Sequence, residues 1–197
     1  MTQEVVNLKT KRMKKILFTI IAGISLSLTS CGQSQPNTSE KFFEFLNSYQ
    51  EDSLRNILTD DFQLNRTYTT YSNDKSSFFD EYLPNSKSYN GKYKILKVIS
   101  EIEPKQFLVE DQSDYLKYLN VDYPTWKITI YSKDNKINLI TIDKTETYEK
   151  YLANIKIADE LFMTWLKSNY PEITQEMLYN QEGLLAKRLK EYAEKKK

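Results

Sequence analysis

The spacing of apolar positions changes several times along the chain, and each change marks an element. Ile16 to Leu28 is an almost continuous apolar run behind Lys9, Lys11, Arg12, Lys14 and Lys15. It is shorter than the roughly 20 residues a spanning helix needs and fits the core of a secretory leader. Gly32 to Ser39 has no periodicity and reads as a polar tether. From Glu40 the spacing becomes helical: Phe42, Phe43, Phe45, Leu46 and Tyr49 share one face behind a cap at Asn37 or Ser39. Asp52 caps a second short helix with Leu54, Ile57 and Leu58 inward, ending near Thr59, Asp60 and Asp61.

A period of two begins at Phe62 and runs to Ser72, which predicts a strand. Asp74 precedes a helical turn or two through Phe78, Phe79, Tyr82 and Leu83, stopped by Pro84, and Asn85 to Gly91 reads as a loop. Tyr93 to Ile102 and Gln106 to Glu110 alternate again, while Tyr115 to Val121 fits strand or helix. The clearest hairpin is Thr125 to Tyr131 against Lys136 to Asp143 through Lys133, Asp134 and Asn135, with Trp126, Ile128 and Ile130 on one face. Helical spacing returns at Glu146 to Asn169 and again from Thr174 to Tyr192, the latter interrupted at Gly183. The pattern predicts an α+β fold: N-terminal helices, an antiparallel sheet and a C-terminal helical extension.

The chain's one cysteine, Cys31, directly follows the apolar run, after the small residues Thr29 and Ser30. Leu28-Thr29-Ser30-Cys31 resembles a lipobox, the site at which bacterial lipoprotein precursors receive a diacylglyceryl group on cysteine and lose their leader. The resemblance implies a leader over 1–30, lipidation of Cys31 and attachment to a membrane in the cell envelope, on the periplasmic or extracellular face. An uncleaved signal anchor, or a core helix with an incidental cysteine, are the competing readings. Met13 is an alternative start to Met1 and leaves the mature chain unchanged.

Removing the leader also changes the charge. It holds five basic residues and one acid, so the formal +1 of the whole chain becomes −3. A slightly acidic body offers no electrostatic reason for a nucleic-acid partner. The absence of histidine removes the Ser-His and Cys-His nucleophile pairs and the usual zinc ligand sets. Glycines at 32, 91 and 183 are too scattered for a phosphate-binding loop, and no cofactor is expected.

The segment 40–145 resembles the NTF2-like (nuclear transport factor 2-like) cone, on the strength of Phe42-Phe43-Glu44-Phe45-Leu46 followed by a short helix that ends in Asp60-Asp61-Phe62. That resemblance implies a curved sheet wrapping helices around a pocket. It covers enzymes of isomerase and dehydratase type as well as binding domains. The members that rely on a His-Asp arrangement are excluded by the lack of histidine, whereas a carboxylate base with tyrosine donors stays open. The pair of helices over 146–197 departs from the resemblance, packing on the domain or extending it.

Candidate chemistry falls into four groups. Tyr68, Tyr93, Trp126 and Tyr131 lead a set of aromatics, with Tyr71, Tyr115, Tyr118 and Tyr123, that would line a small-ligand pocket or serve as sheet surface. Glu101, Glu103, Glu110, Asp111 and Asp114 form the densest acidic group, read as a solvated strand edge against a calcium site. Asp60 and Asp61 would act at a cone mouth or simply end a helix. The C-terminal stripe from Tyr148 to Tyr192 would bind a partner or pack on its own domain. The leading expectation is a lipid-anchored, non-catalytic envelope protein binding a small ligand or another envelope protein. The alternatives are an isomerase- or hydrolase-type enzyme using carboxylate and tyrosine, and an interaction protein working through its C-terminal helices.

Overall fold

The computed structural model describes residues 38–181 and 183–195; the leader, Cys31 and the tether up to residue 37 lie outside the described residues. Helix α1 (Thr38–Asn47) buries Phe42, Phe43 and Leu46, as their spacing dictates, and α2 (Glu51–Ile57) buries Leu54. Strand β1 (Leu58–Arg66) begins four residues earlier than the expected Phe62, with Asp60 and Asp61 inside it rather than at a helix end. Leu58, Phe62 and Leu64 are its core side chains. A short strand β2 (Ser72–Asp74) folds back on it.

The segment 75–88, here α3, is helical throughout, which corrects the expected stop at Pro84 and loop at 85–91. Asp74 caps it, its Oδ1 accepting from the Ser77 amide at 2.8 Å. The turn Phe78–Tyr82 is π-helical, and the Leu83 amide reaches back to the Phe78 carbonyl. Pro84 therefore follows the π-helical turn directly, as the second residue of the α-helical segment Leu83–Ser88. Gly91 then turns the chain into the sheet, its amide bonded to the Ser86 carbonyl at 2.7 Å.

Strands β3 (Lys92–Ser100), β4 (Lys105–Gln112), β5 (Thr125–Lys133) and β6 (Lys136–Lys144) form an antiparallel meander. The six-stranded sheet has the order β2-β1-β6-β5-β4-β3, with β1 parallel to β6 and all other pairs antiparallel. The β5–β6 turn is the expected one, with Asp134 (φ 53) and Asn135 (φ 62) both left-handed as a two-residue hairpin turn requires. The ambiguous 115–121 stretch is a helix, α4 (Asp114–Leu119), capped by the Ser113 hydroxyl and ended by Asn120 at φ 58. The C-terminal extension comprises α5 (Tyr148–Asn169), α6 (Gln175–Asn180) and α7 (Leu184–Lys195), so the expected pair is in fact three helices, split at Gly183 with φ 73.

Two apolar cores result. One lies between α1, α2, α3 and the concave face of the curved sheet, around Phe42, Phe62, Phe78, Phe107 and Ile128. The other joins α4 to the C-terminal helices through Leu116, Leu119, Phe162, Leu166, Leu178 and Leu189. Tyr151 packs against both.

Candidate functional site

Where the two cores meet, the side chains do not close on each other, and a cavity of about 530 Å³ remains. That volume suits a small organic ligand. Its walls come from every layer: Arg66 from β1, Tyr82 from α3, Tyr93 from β3, Asp111 from β4 and Trp126 from β5, with Tyr115, Tyr151, Tyr179 and Leu185 contributed by α4, α5, α6 and α7.

Asp111 is placed by the alternation of its strand. Phe107 and Val109 point into the core, so the next inward position along β4 is Asp111, opposite Tyr93 on β3. Its Oδ2 accepts the Trp126 indole N–H at 3.2 Å. No hydrogen bond to its other oxygen is found among the described residues, and no cation stands within ion-pair distance. Loss of solvation pushes this carboxyl up to about 6, against smaller opposing effects of the Trp126 hydrogen bond and the Arg66 charge.

The surrounding rings are arranged as a box. Tyr68 stacks on Trp126 with centroids 5.0 Å apart and planes 10° from parallel, and Tyr148 leans on both at 5.1 and 5.7 Å. Tyr151 meets Trp126 edge-on at 6.2 Å. The Tyr82 and Tyr93 hydroxyls lie 3.1 Å apart. Burial pushes the Tyr82 hydroxyl up to about 12 and raises that of Tyr93 well above the usual range, with the Asp111 charge adding to both. Both stay protonated; one hydroxyl donates to the other, and the proton of the accepting one is left to donate to a ligand oxygen. Near the helical layer, the Tyr115 hydroxyl donates to Asp159 Oδ1 at 2.5 Å, which holds α4 to α5. Arg66 sits over the rings of Tyr71 (4.9 Å) and Tyr82 (5.5 Å) and donates to Asn73 Oδ1 at 3.1 Å.

Of the residues singled out from the sequence, Tyr68, Tyr93 and Trp126 line the cavity together, and Tyr115 joins them. Tyr131 does not. It follows Ile130 by one position, so the two-residue period turns it to the other face of the sheet, where it is 37% exposed. Tyr71 is exposed, and Tyr118 and Tyr123 pack against the second core. Asp60 and Asp61 are exposed on β1, away from the cavity, Asp60 being 3.0 Å from Lys75 Nζ. The acidic group disperses: Glu101 and Glu103 are exposed, Asp114 opens α4, and only Asp111 turns inward. No group of three or more potential metal ligands occurs among the described residues. Asp111 as the inward carboxylate, and Tyr82, Tyr151 and Tyr179 as wall, were not legible as site residues. The one available signal was the Phe107, Val109, Asp111 alternation, which places an acid at a core-facing position.

No family model matches the chain, and no curated protein matches it. Solved structures similar to it include an NTF2-like protein of unknown function from Cytophaga hutchinsonii, at 14% identity and a TM-score of 0.42 over 56% of this chain and 91% of that one. An M. tuberculosis LEH-like epoxide hydrolase is 12% identical, with a TM-score of 0.46 over 60% of this chain and 89% of the other. A de novo designed NTF2-fold protein is 19% identical, with a TM-score of 0.40 over 59% and 88%.

Proposed function

We propose that this chain is a lipid-anchored envelope protein whose cavity binds a small molecule with a planar, largely apolar body and a polar group directed at Asp111. The observation that carries the reading is the cavity of about 530 Å³ in which one carboxylate stands among Tyr68, Tyr82, Tyr93, Trp126 and Tyr151. Stacked rings offer flat apolar walls, and the free oxygen of Asp111 supplies direction. The direct test is native mass spectrometry of the purified protein, followed by titration with whatever compound it carries. Trp126→Ala, which removes one wall and the donor to Asp111, should weaken binding at least tenfold, a loss of about 1.4 kcal/mol. Unchanged affinity in that variant, or a cavity that takes up no compound from cell extract, would count against the reading.

The anchor belongs to the same proposal and rests on Leu28-Thr29-Ser30-Cys31. Acyl chains contribute roughly 0.8 kcal/mol per buried CH₂, so more than one chain on Cys31 would hold the protein to a bilayer. Cys31→Ala should move it out of the membrane fraction and abolish incorporation of labelled palmitate.

A second reading has one observation in its favour: the inward carboxyl of Asp111 stands opposite Tyr93, whose hydroxyl is hydrogen-bonded to that of Tyr82 at 3.1 Å. Such a set can remove a proton from bound substrate while one hydroxyl of the hydrogen-bonded Tyr82–Tyr93 pair, polarised by the other, donates to the oxygen on which charge develops. Under this reading the bound compound is chemically altered on incubation, and Asp111→Asn stops the alteration while leaving binding in place.

A further inference from the structure

Arg66 reaches the cavity wall as an oriented charge without an ion-pair partner. Phe62 and Leu64 point into the sheet core, so the two-residue period of β1 turns Arg66 inward as well, paired with Ile142 of β6. Its guanidinium lies over the rings of Tyr71 and Tyr82 and donates to Asn73 Oδ1 at 3.1 Å. Asn73 is fully buried on β2, opposite Leu64, and its amide nitrogen donates to the Tyr71 hydroxyl at 3.1 Å. A buried amide costs stability unless both its ends are bonded, and here one end is spent on orienting a guanidinium. Among the described residues, Asn73 is the one protein acceptor for the Arg66 N–H groups, and no carboxylate stands within ion-pair distance of Arg66. Among the described residues that line the cavity, Asp111 is the one acid, and Arg66 and the exposed Lys92 are the two bases. The wall therefore carries one positive charge in excess.

We infer that Arg66 binds a carboxylate of the ligand, so that the compound the cavity takes is an aromatic acid with a hydrogen-bond donor elsewhere on its frame, facing Asp111. This rests on the reading of the cavity as a ligand site. The planar guanidinium fork matches two carboxylate oxygens with parallel N–H···O bonds. A monoanion cancels the excess charge of the wall, whereas a phosphate, at about −1.5 to −2 near neutral pH, overshoots it. The anion belongs at Arg66 because beside Asp111 like charges repel. The donor belongs at Asp111, whose ionised carboxyl offers acceptors alone and has one oxygen already engaged by Trp126.

The test uses para-hydroxycinnamate and its neutral amide, para-hydroxycinnamamide, which share the planar body and the hydroxyl and differ in the charge offered to Arg66. Titrated calorimetrically into the full chain, the acid should bind roughly tenfold or more tightly than the amide. In Arg66→Gln that preference should disappear. Lys92→Gln removes the same formal charge from an exposed side chain and should keep most of the preference, which separates a guanidinium fork from diffuse attraction. Equal affinity for acid and amide in the parent, a preference that survives Arg66→Gln, or one that is lost in Lys92→Gln overturns the role of Arg66, while binding of the amide leaves the cavity reading standing. Failure of both probes to bind overturns the role of Arg66 and the cavity reading together. The ratio of the two affinities in the parent needs no variant, so the role of Arg66 stays open to refutation even where thermal unfolding shows that Arg66→Gln has lost the fold.

Discussion

Asp111 is a carboxylate held where the fold would be more stable without its charge. Its carboxyl titrates at about 6 in the folded chain because burial disfavours the anion. The unfolded chain, with an ordinary carboxyl, binds fewer protons between about pH 4 and 6, so this group makes stability fall as pH rises through that window. Asp111→Asn should therefore stabilise the protein by about 1–3 kcal/mol at pH 8 and by little at pH 4, measured as the difference between variant and parent in urea unfolding at each pH. A difference that stays flat from pH 4 to 8 would show that the carboxyl is solvated in the fold. Gly91 is constrained for a steric reason. A Cβ there would lie 2.6 Å from Ser86 Oγ and 3.1 Å from the Ser86 carbonyl oxygen. Gly91→Ala should cost about 1–3 kcal/mol, read from the same kind of unfolding curve.

Among the elements, α3 shows how a helix crosses a proline. Phe78 must reach the core, where it meets Phe62 edge-on at 5.4 Å and stacks on Tyr82 at 5.2 Å. The π-helical turn keeps both rings on one side, and Pro84 follows it directly, at the point where the hydrogen-bond ladder has already changed register. Through the same turn Tyr82 comes within 3.1 Å of the Tyr93 hydroxyl, so a local backbone feature helps build the cavity. The start of α3 depends on Asp74, whose carboxylate accepts from the Ser77 amide at 2.8 Å and its hydroxyl at 2.9 Å. Asp74→Ala should lower stability by about 1 kcal/mol, and Asp74→Asn or Asp74→Ser by less, in chemical denaturation.

At the scale of the whole molecule, the cavity exists because two apolar cores abut without merging. The sheet core packs α1, α2 and α3, and the C-terminal helices fill a separate core with α4. Part of the apolar stripe of the extension is thereby buried, through Phe162, Leu166, Leu178, Leu185, Leu189 and Tyr192, while Leu152, Leu161 and Met177 stay 41%, 53% and 43% exposed. Each tryptophan reports on one side: Trp126 packs in the sheet core, and Trp165 against Phe162 and Tyr192 in the other. Phe162→Ala should cost about 3–5 kcal/mol in the helical layer. With one tryptophan replaced by phenylalanine at a time, the Trp165 transition should then fall at lower urea than the Trp126 transition. Coincident transitions would mean that the layers unfold as one. The same variant should weaken ligand retention without touching the ligand, since Tyr151, Tyr179 and Leu185 form part of the wall.

Hydrophobic period and turn chemistry, which are local, fixed much of the architecture from sequence alone: α1, α2, the β5–β6 hairpin with Asp134 and Asn135 at its turn, the long α5, and the α+β class. They also brought forward Tyr68, Tyr93 and Trp126, because amphipathic aromatics on alternating strands have few places to go. Tyr131 faces away from the cavity, and Asp111, named only within the acidic group and read as solvated, faces into it, for one shared reason. A strand's period assigns a side chain to one of two faces, and a one-position difference reverses the assignment. The parallel contact of β1 with β6 and the π-helical passage at Pro84 join or adjust segments according to packing, which no local window contains. The cavity is of the same kind: its walls come from residues as far apart as Leu46 and Leu185, and only the meeting of the two cores brings them around one carboxylate.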